Sequence, residues 1–241
     1  MTTTTNEHRK LLGILSGVVL MITAQMITAC QEIKDPSNYL VNGTPIEDRT
    51  LVITPLGKVN PLYIQWTREA LEKTYKMPIK VEKSLPLKPE YYYPSITKRN
   101  RLNADQILNI FKSSNEIPVL ITEGDIGHKR IIKNDSIEGY GIIGLGKLGK
   151  PGQNLSTKEC RLALIISTSR IKKTTKDNFR KRLTKVVIHE IGHNLSLPHC
   201  KYQTTCVMVD AGGKVTTIDK ANEAFCHRCR KIIKPYLQVS E

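Results

Sequence analysis

Three patterns in the chain predict an α/β fold. Two apolar runs, Val119–Thr122 and Leu162–Ser167, have strand length and no polar alternation, which suits central strands covered on both faces. Apolar residues recur at helical spacing behind two capping asparagines: Leu62, Trp66, Ala70 and Leu71 after Asn60-Pro61, and Ile107, Leu108, Ile110 and Phe111 after Asn103. A longer helical stretch runs from Asp177 to about Leu195, after the second apolar run. Strands alternate with helices and no internal repeat interrupts them, so a sheet flanked by helices is expected.

In chain order, a polar segment ending in Arg9-Lys10 precedes nineteen uncharged residues, Leu11 to Ala29. A positive flank, an apolar core and small residues at its end make residues 1–29 an export-signal pattern. A single membrane anchor is the alternative, because nineteen residues just reach across a bilayer. Gly13, Ser16, Gly17, Thr23, Gln25 and Thr28 keep the segment only mildly apolar, and it ends in Ile27-Thr28-Ala29-Cys30. That ending resembles the lipobox of bacterial lipoproteins, which implies acylation of Cys30 and a lipid anchor. The polar stretch to Asp48, with its Asp35-Pro36 and Asn42-Gly43 turns, reads as a tether over 30–48.

Leu51-Val52-Ile53 is expected as a strand running into a loop at Thr54-Pro55-Leu56-Gly57. Asn60 opens a helix to about Tyr75, Ile79-Lys80-Val81 is β-like, and Pro86 to Pro94 is a loop whose Tyr91–Tyr93 are candidates to line a cleft. The segment Ile126 to Gln153 is rich in Gly and charge, with Tyr140–Leu145 expected as an edge strand able to hold an extended peptide antiparallel to itself.

The chain carries 37 Lys+Arg against 22 Asp+Glu, a net charge of +15. Only Glu7, Arg9 and Lys10 are charged within 1–29, so the excess belongs to the remainder. With 24% charged and 39% hydrophobic residues, disorder throughout, collagen and a multi-pass membrane protein are excluded. The basic excess suits nucleic acid, anionic lipid or acidic peptides. Six Cys are too few for a disulfide-dense miniprotein.

The most informative stretch is His189-Glu190-Ile191-Gly192-His193, followed by Pro198-His199. Histidines at i and i+4 project from one helix face, so both imidazoles reach one zinc at about 2.0–2.1 Å. Glu190, roughly 100° around the helix from His189, sits beside the metal without binding it, where a general base for an activated water belongs. Pro198 stops a helix, and a turn at Leu195–Pro198 brings His199 back as third ligand. Three protein ligands leave a position open, the mark of a catalytic zinc. The basic run Lys176, Arg180, Lys181, Arg182 and Lys185 on the same helix is expected to be a solvated face.

Cys200, Cys206, Cys226 and Cys229 follow at once. Two thiol pairs suit a tetrahedral zinc site; two disulfides are the alternative in an exported protein. Cys160 is left as a buried free thiol.

His-Glu-x-x-His-x-x-Ser-x-x-His-Cys, then Cys206-Val207-Met208 and Phe225-Cys226-x-x-Cys229, resembles the archaemetzincins, zinc metallopeptidases of the metzincin clan. Thr54–Gly57, Arg101–Ala104, Val119–Asp125 and Ile165–Arg170 resemble further blocks of that family, so the resemblance spans about residues 50–230. It implies an α/β (α+β) metzincin-like fold: a mixed twisted sheet and an active-site helix over 49–199, then a small zinc-stabilised subdomain over 200–241. It also implies two zinc ions, one catalytic on His189, His193 and His199, one structural on Cys200, Cys206, Cys226 and Cys229. Glu190 would be base and then acid, and Met208 the Met-turn thioether that packs beneath the site. Two departures stand out. Ser196 replaces the usual Gly at a left-handed position, at a cost of about 1 kcal/mol. Five residues rather than four separate Cys200 from Cys206.

The expected activity is peptide-bond hydrolysis, with a peptide or protein substrate, a membrane contact through the anchor, no nucleic acid, and a monomeric chain. A basic zinc-stabilised binding module, gripping nucleic acid or an anionic surface, is the rival; it leaves the histidine motif unexplained. A catalytically idle relative is a third reading, against which Glu190 and all three His stand intact. Location in the cell envelope follows from Cys30, with Gln31 rather than Asp after it favouring an outer membrane where one exists.

Overall fold

The computed structural model describes residues 49–94, 100–113, 116–132, 135–147 and 161–238. The export signal, Cys30, the tether and Cys160 lie outside the described residues. Among those described, no helix is long and apolar enough to cross a membrane.

Strand β1 (Thr50–Leu56) and strand β4 (Glu116–Thr122) lie side by side and parallel, from Thr50 opposite Glu116 to Leu56 opposite Thr122. Strand β2 (Ile79–Val81) flanks β1, strand β8 (Leu164–Ser167) flanks β4, and the short β7 (Gly144–Gly146) closes the sheet antiparallel to β8. The order is β2-β1-β4-β8-β7, a mixed sheet. A second sheet has the order β3 (Leu102–Asn103), β5 (Ile126–Ile132), β6 (Asp135–Ile142).

Burial explains the unbroken apolar runs. Leu51, Ile53, Val119, Ile121, Leu164 and Ile166 face one core, with Trp66, Leu71, Phe179, Leu183 and Val187. Leu120, Ala163 and Ile165 face the other, with Leu102, Ile107, Leu108 and Ile126. Successive residues point to opposite faces, and here both faces are covered.

Helix α1 (Pro61–Thr74) starts where Asn60 accepts from the Leu62 N–H and Pro61 sets the first turn. Its Trp66 packs edge-on to Phe179 of helix α3 (Lys176–Asn194), and the buried Tyr75 hydroxyl donates to the Ile188 carbonyl at 2.8 Å. Helix α2 (Ala104–Phe111) is capped by Asn103, as its sequence predicts.

Several expectations change. Thr54-Pro55-Leu56 continues β1 rather than looping out. The N–H and C=O of one residue point to the same edge, and the Pro55 carbonyl accepts from Leu85, past the end of β2. The donor Pro55 lacks would therefore point away from β4. Ile110 is 52% exposed and Phe111 half-buried, because α2 lays only its Ala104, Ile107 and Leu108 side on the sheet. The stretch 140–145 is not one strand: β6 ends at Ile142, the chain bends at Ile143, and β7 forms the edge. Tyr91 is buried in the core beside Leu102 and Ile107, and Tyr93 is buried against Gly139 of β6, so neither lines the cavity beside the histidines.

Asp125 fastens the two sheets together. It takes Arg101 Nε at 2.5 Å and Arg170 Nε at 2.7 Å, while Arg101 also donates to the Gly139 carbonyl on β6 at 2.6 Å. After α3 come helices α4 (Val215–Lys220) and α5 (His227–Ile233), and Cys200, Cys206, Met208 and Ile233 share one core with Leu51 and Leu183.

Candidate active site

Helix α3 opens on Thr175, whose hydroxyl accepts from the Asn178 N–H, and buries Phe179, Leu183, Val186 and Val187 on the sheet. Its last turns carry the histidines. His189 and His193 stand one turn apart with ring centroids 4.6 Å apart, and His199 approaches both, at 5.3 and 4.8 Å. One ring nitrogen of each of the three lies within 4.8 Å of those of the other two.

Two of the rings are held by backbone carbonyls: His189 Nδ1 lies 2.8 Å from Val207 O, and His193 Nδ1 lies 2.7 Å from Leu197 O. A carbonyl oxygen only accepts, so Nδ1 carries the proton in each ring and Nε2 is left with its lone pair. Burial pushes His189 down to about 4 and His193 to about 3, so both are neutral at physiological pH. Three converging imidazole nitrogens fit a zinc ion. His199 is the most exposed of the three, with its Nδ1 3.8 Å from Asp210 Oδ2.

The turn that delivers His199 is a Schellman motif: the Leu197 N–H donates to Gly192 O at 2.9 Å and the Ser196 N–H to His193 O at 3.0 Å. Ser196 sits at its left-handed position, with φ of 70°, the one non-glycine residue with positive φ among those described. The same turn aims the Leu197 carbonyl at His193.

Glu190 is buried at 7% exposure, and burial pushes its carboxyl up to about 8 despite an N–H bond from Gly146. Edge strand β7 reaches it only because its ends are glycines. A Cβ at Gly144 would fall 2.8 Å from the Glu190 carboxyl carbon, and one at Gly146 would strike the Glu190 backbone carbonyl. Nothing in the sequence singles these glycines out beyond the close spacing of Gly139, Gly141, Gly144 and Gly146. Gly192 has the same role beneath the helix, since its Cβ would lie 2.5 Å from Met208 Sδ. The fully buried Met208 therefore packs under the histidine turn, as the family resemblance implies.

Cys200, Cys206, Cys226 and Cys229 converge with all four sulfurs within 4.8 Å of one another, and none is disulfide-bonded. A hydrogen bond from the Cys229 thiol, with backbone N–H donors from Cys226 and Met208, outweighs burial and pulls Cys206 down to about 5. Backbone groups of Tyr202 and Gln203 bond the Cys200 sulfur, so the longer 201–205 loop wraps that thiol instead of displacing it.

The basic face of α3 is only partly solvated. Arg182 makes a two-pronged pair with Asp219 at 2.7 Å on each arm, and Lys185 donates to Ile218 O and Asp219 O at 3.0 and 3.2 Å, docking α4 on α3. Arg180 pairs with Glu69 of α1. The candidate site opens on a cavity of about 510 Å³, walled by β7, by α3 from Lys185 to His193, by the 207–213 segment, and by His128, Arg130 and Tyr140 of the β5–β6 hairpin.

Residues 152–235 match the model of peptidase family M54. The archaemetzincin of Natronomonas pharaonis is 27% identical over 183 residues, covering 75% of this chain and 97% of that relative. That of Archaeoglobus fulgidus is 31% identical over 99 residues, covering 38% and 60%. The fold matches the crystal structure of the Archaeoglobus fulgidus archaemetzincin complexed with malonate at a TM-score of 0.61 and 24% identity, over 76% of this chain and 99% of that one. It matches the Methanopyrus kandleri archaemetzincin at 0.57 and 17% identity, over 80% and 97%. The family model and the curated relatives make the chain similar to the archaemetzincins of peptidase family M54 and indicate a zinc metallopeptidase, and the solved structures share its fold.

Proposed function

We propose that the chain hydrolyses peptide bonds at the His189–His193–His199 site, with Glu190 as proton carrier. The observation that carries this reading is the convergence of three imidazoles, two of them oriented by backbone carbonyls, beside a buried carboxyl group in an open cleft. A zinc ion held by these histidines would supply Lewis acidity, polarising the scissile carbonyl and acidifying water. In its ionised form Glu190, fixed by the Gly146 N–H, would accept the proton of the attacking water and pass it to the leaving amine. Edge strand β7 binds the substrate backbone as an added antiparallel strand. The four thiols hold a second, structural zinc.

Acylated Cys30 tethers the domain to the cell envelope in this proposal. The basic binding module is not favoured, since it gives His189, Glu190, His193 and His199 nothing to do.

Glu190→Gln should abolish hydrolysis of a peptide substrate while the full chain keeps about two zinc by elemental analysis. Unchanged turnover in that variant would overturn the mechanism.

A further inference from the structure

We infer that the cleft selects peptides with a carboxylate on the C-terminal side of the scissile bond, and that Arg130 reads it. The inference rests on the peptidase reading above and names the substrate class of that site.

Arg130 and His128 lie on β5 on either side of a register shift, a bulge of the sort that re-aims side chains beside active sites. Both line the cavity that holds His189 and Glu190. The Arg130 guanidinium sits 4.5 Å from the centroid of Tyr140, and the His128 ring meets the same tyrosine edge-on at 6.1 Å. Stacking fixes the plane of the guanidinium but leaves its N–H fork unused.

No carboxylate among the described residues pairs with it, in contrast to its neighbours. Lys129, next in sequence, pairs with Glu138; Arg101 and Arg170 share Asp125; Arg180 and Arg182 have Glu69 and Asp219. Lys185, also in the lining, adds a second positive charge, its ammonium bonded to the Ile218 and Asp219 backbone carbonyls. Asp210, the other acidic side chain in the lining besides Glu190, is taken up by the Gly212 N–H and lies beside His199. The Arg130 side of the cleft is thus a stacked, unpaired guanidinium, which recognises a planar carboxylate through two parallel hydrogen bonds.

Strand direction says which part of the substrate arrives there. A peptide antiparallel to β7 runs with its C-terminal residues toward Gly144 and past it toward Tyr140, four positions earlier on β6. The carboxylate is therefore a Glu or Asp side chain just after the cleaved bond, or the free C-terminus of a short peptide.

The test compares amidated peptides that differ only in Glu, Gln or Lys at each of the three positions after the cleaved bond, together with the Gln peptide bearing a free C-terminus. For the full-length chain, Glu should exceed Gln in kcat/KM by about tenfold at one position. Arg130→Ala should bring that ratio near one. Arg130→Glu should invert it in favour of Lys, which a misfolded protein would not do. An advantage confined to the free C-terminus and lost in Arg130→Ala assigns the carboxylate to the chain end. No carboxylate advantage, or one that survives Arg130→Ala, overturns the inference. Fluorescence anisotropy on the Glu190→Gln variant measures the same Glu-to-Gln ratio without turnover. Selective binding with no cleavage by the native chain would count against the peptidase reading alone, and equal binding against Arg130 alone.

Discussion

Ser196 holds a left-handed backbone that costs a residue with a Cβ about 1 kcal/mol relative to glycine. Ser196→Gly should therefore raise the unfolding free energy by about 1 kcal/mol in thermal or urea denaturation, without loss of activity. Gly144→Ala should do the reverse. Its methyl group would push on the Glu190 carboxyl, so kcat should fall at least tenfold while circular dichroism and zinc content stay unchanged. Both positions show what a sequence reveals at this scale. Ser196 was legible because the spacing from His193 to His199 demands a turn. Gly144 was not, because the neighbour that forbids a side chain there is 46 positions away in sequence, on another element.

Among the elements, α3 was the most legible, since its capping, apolar stripe and histidine spacing all agree. Less visible was the use of its basic face. Arg182 is pinned to Asp219, and the pair holds Asp219 below the ordinary carboxylate range. Single-strand periodicity could not reveal how 140–145 divides, because the bend at Ile143 is set by two different sheets claiming its two sides. The Arg101–Asp125–Arg170 clasp carries a pH signature. Burial raises the Asp125 carboxyl, but the guanidiniums of Arg170 and Arg101 outweigh it and hold the carboxyl below its usual range. A depressed folded-state value means that the stabilisation is present above the unfolded value and fades as pH falls through the folded one. The melting temperature should accordingly drop below about pH 4. Asp125→Asn should lose about 2 kcal/mol at neutral pH and show a shallower acid dependence.

For the whole molecule, the two candidate metal sites are one piece of backbone. His199 and Cys200 are adjacent, and the carbonyl that orients His189 belongs to Val207, between Cys206 and Met208. Cys206→Ser should therefore lower kcat by about 10- to 100-fold although no histidine is touched. Peptidase assays of purified Cys206→Ser, matched for histidine-site zinc, would check it; full activity would show that the sites are independent.

That shared backbone also sets an order of events. Gathering the thiols fixes Cys206, and with it the adjoining Val207 carbonyl that holds the imidazole. Zinc added stepwise to the metal-free chain should go to the sulfurs first, with the first equivalent yielding a folded but silent protein. Hydrolysis should begin only as the second is added, so that activity plotted against metal shows a lag one equivalent long.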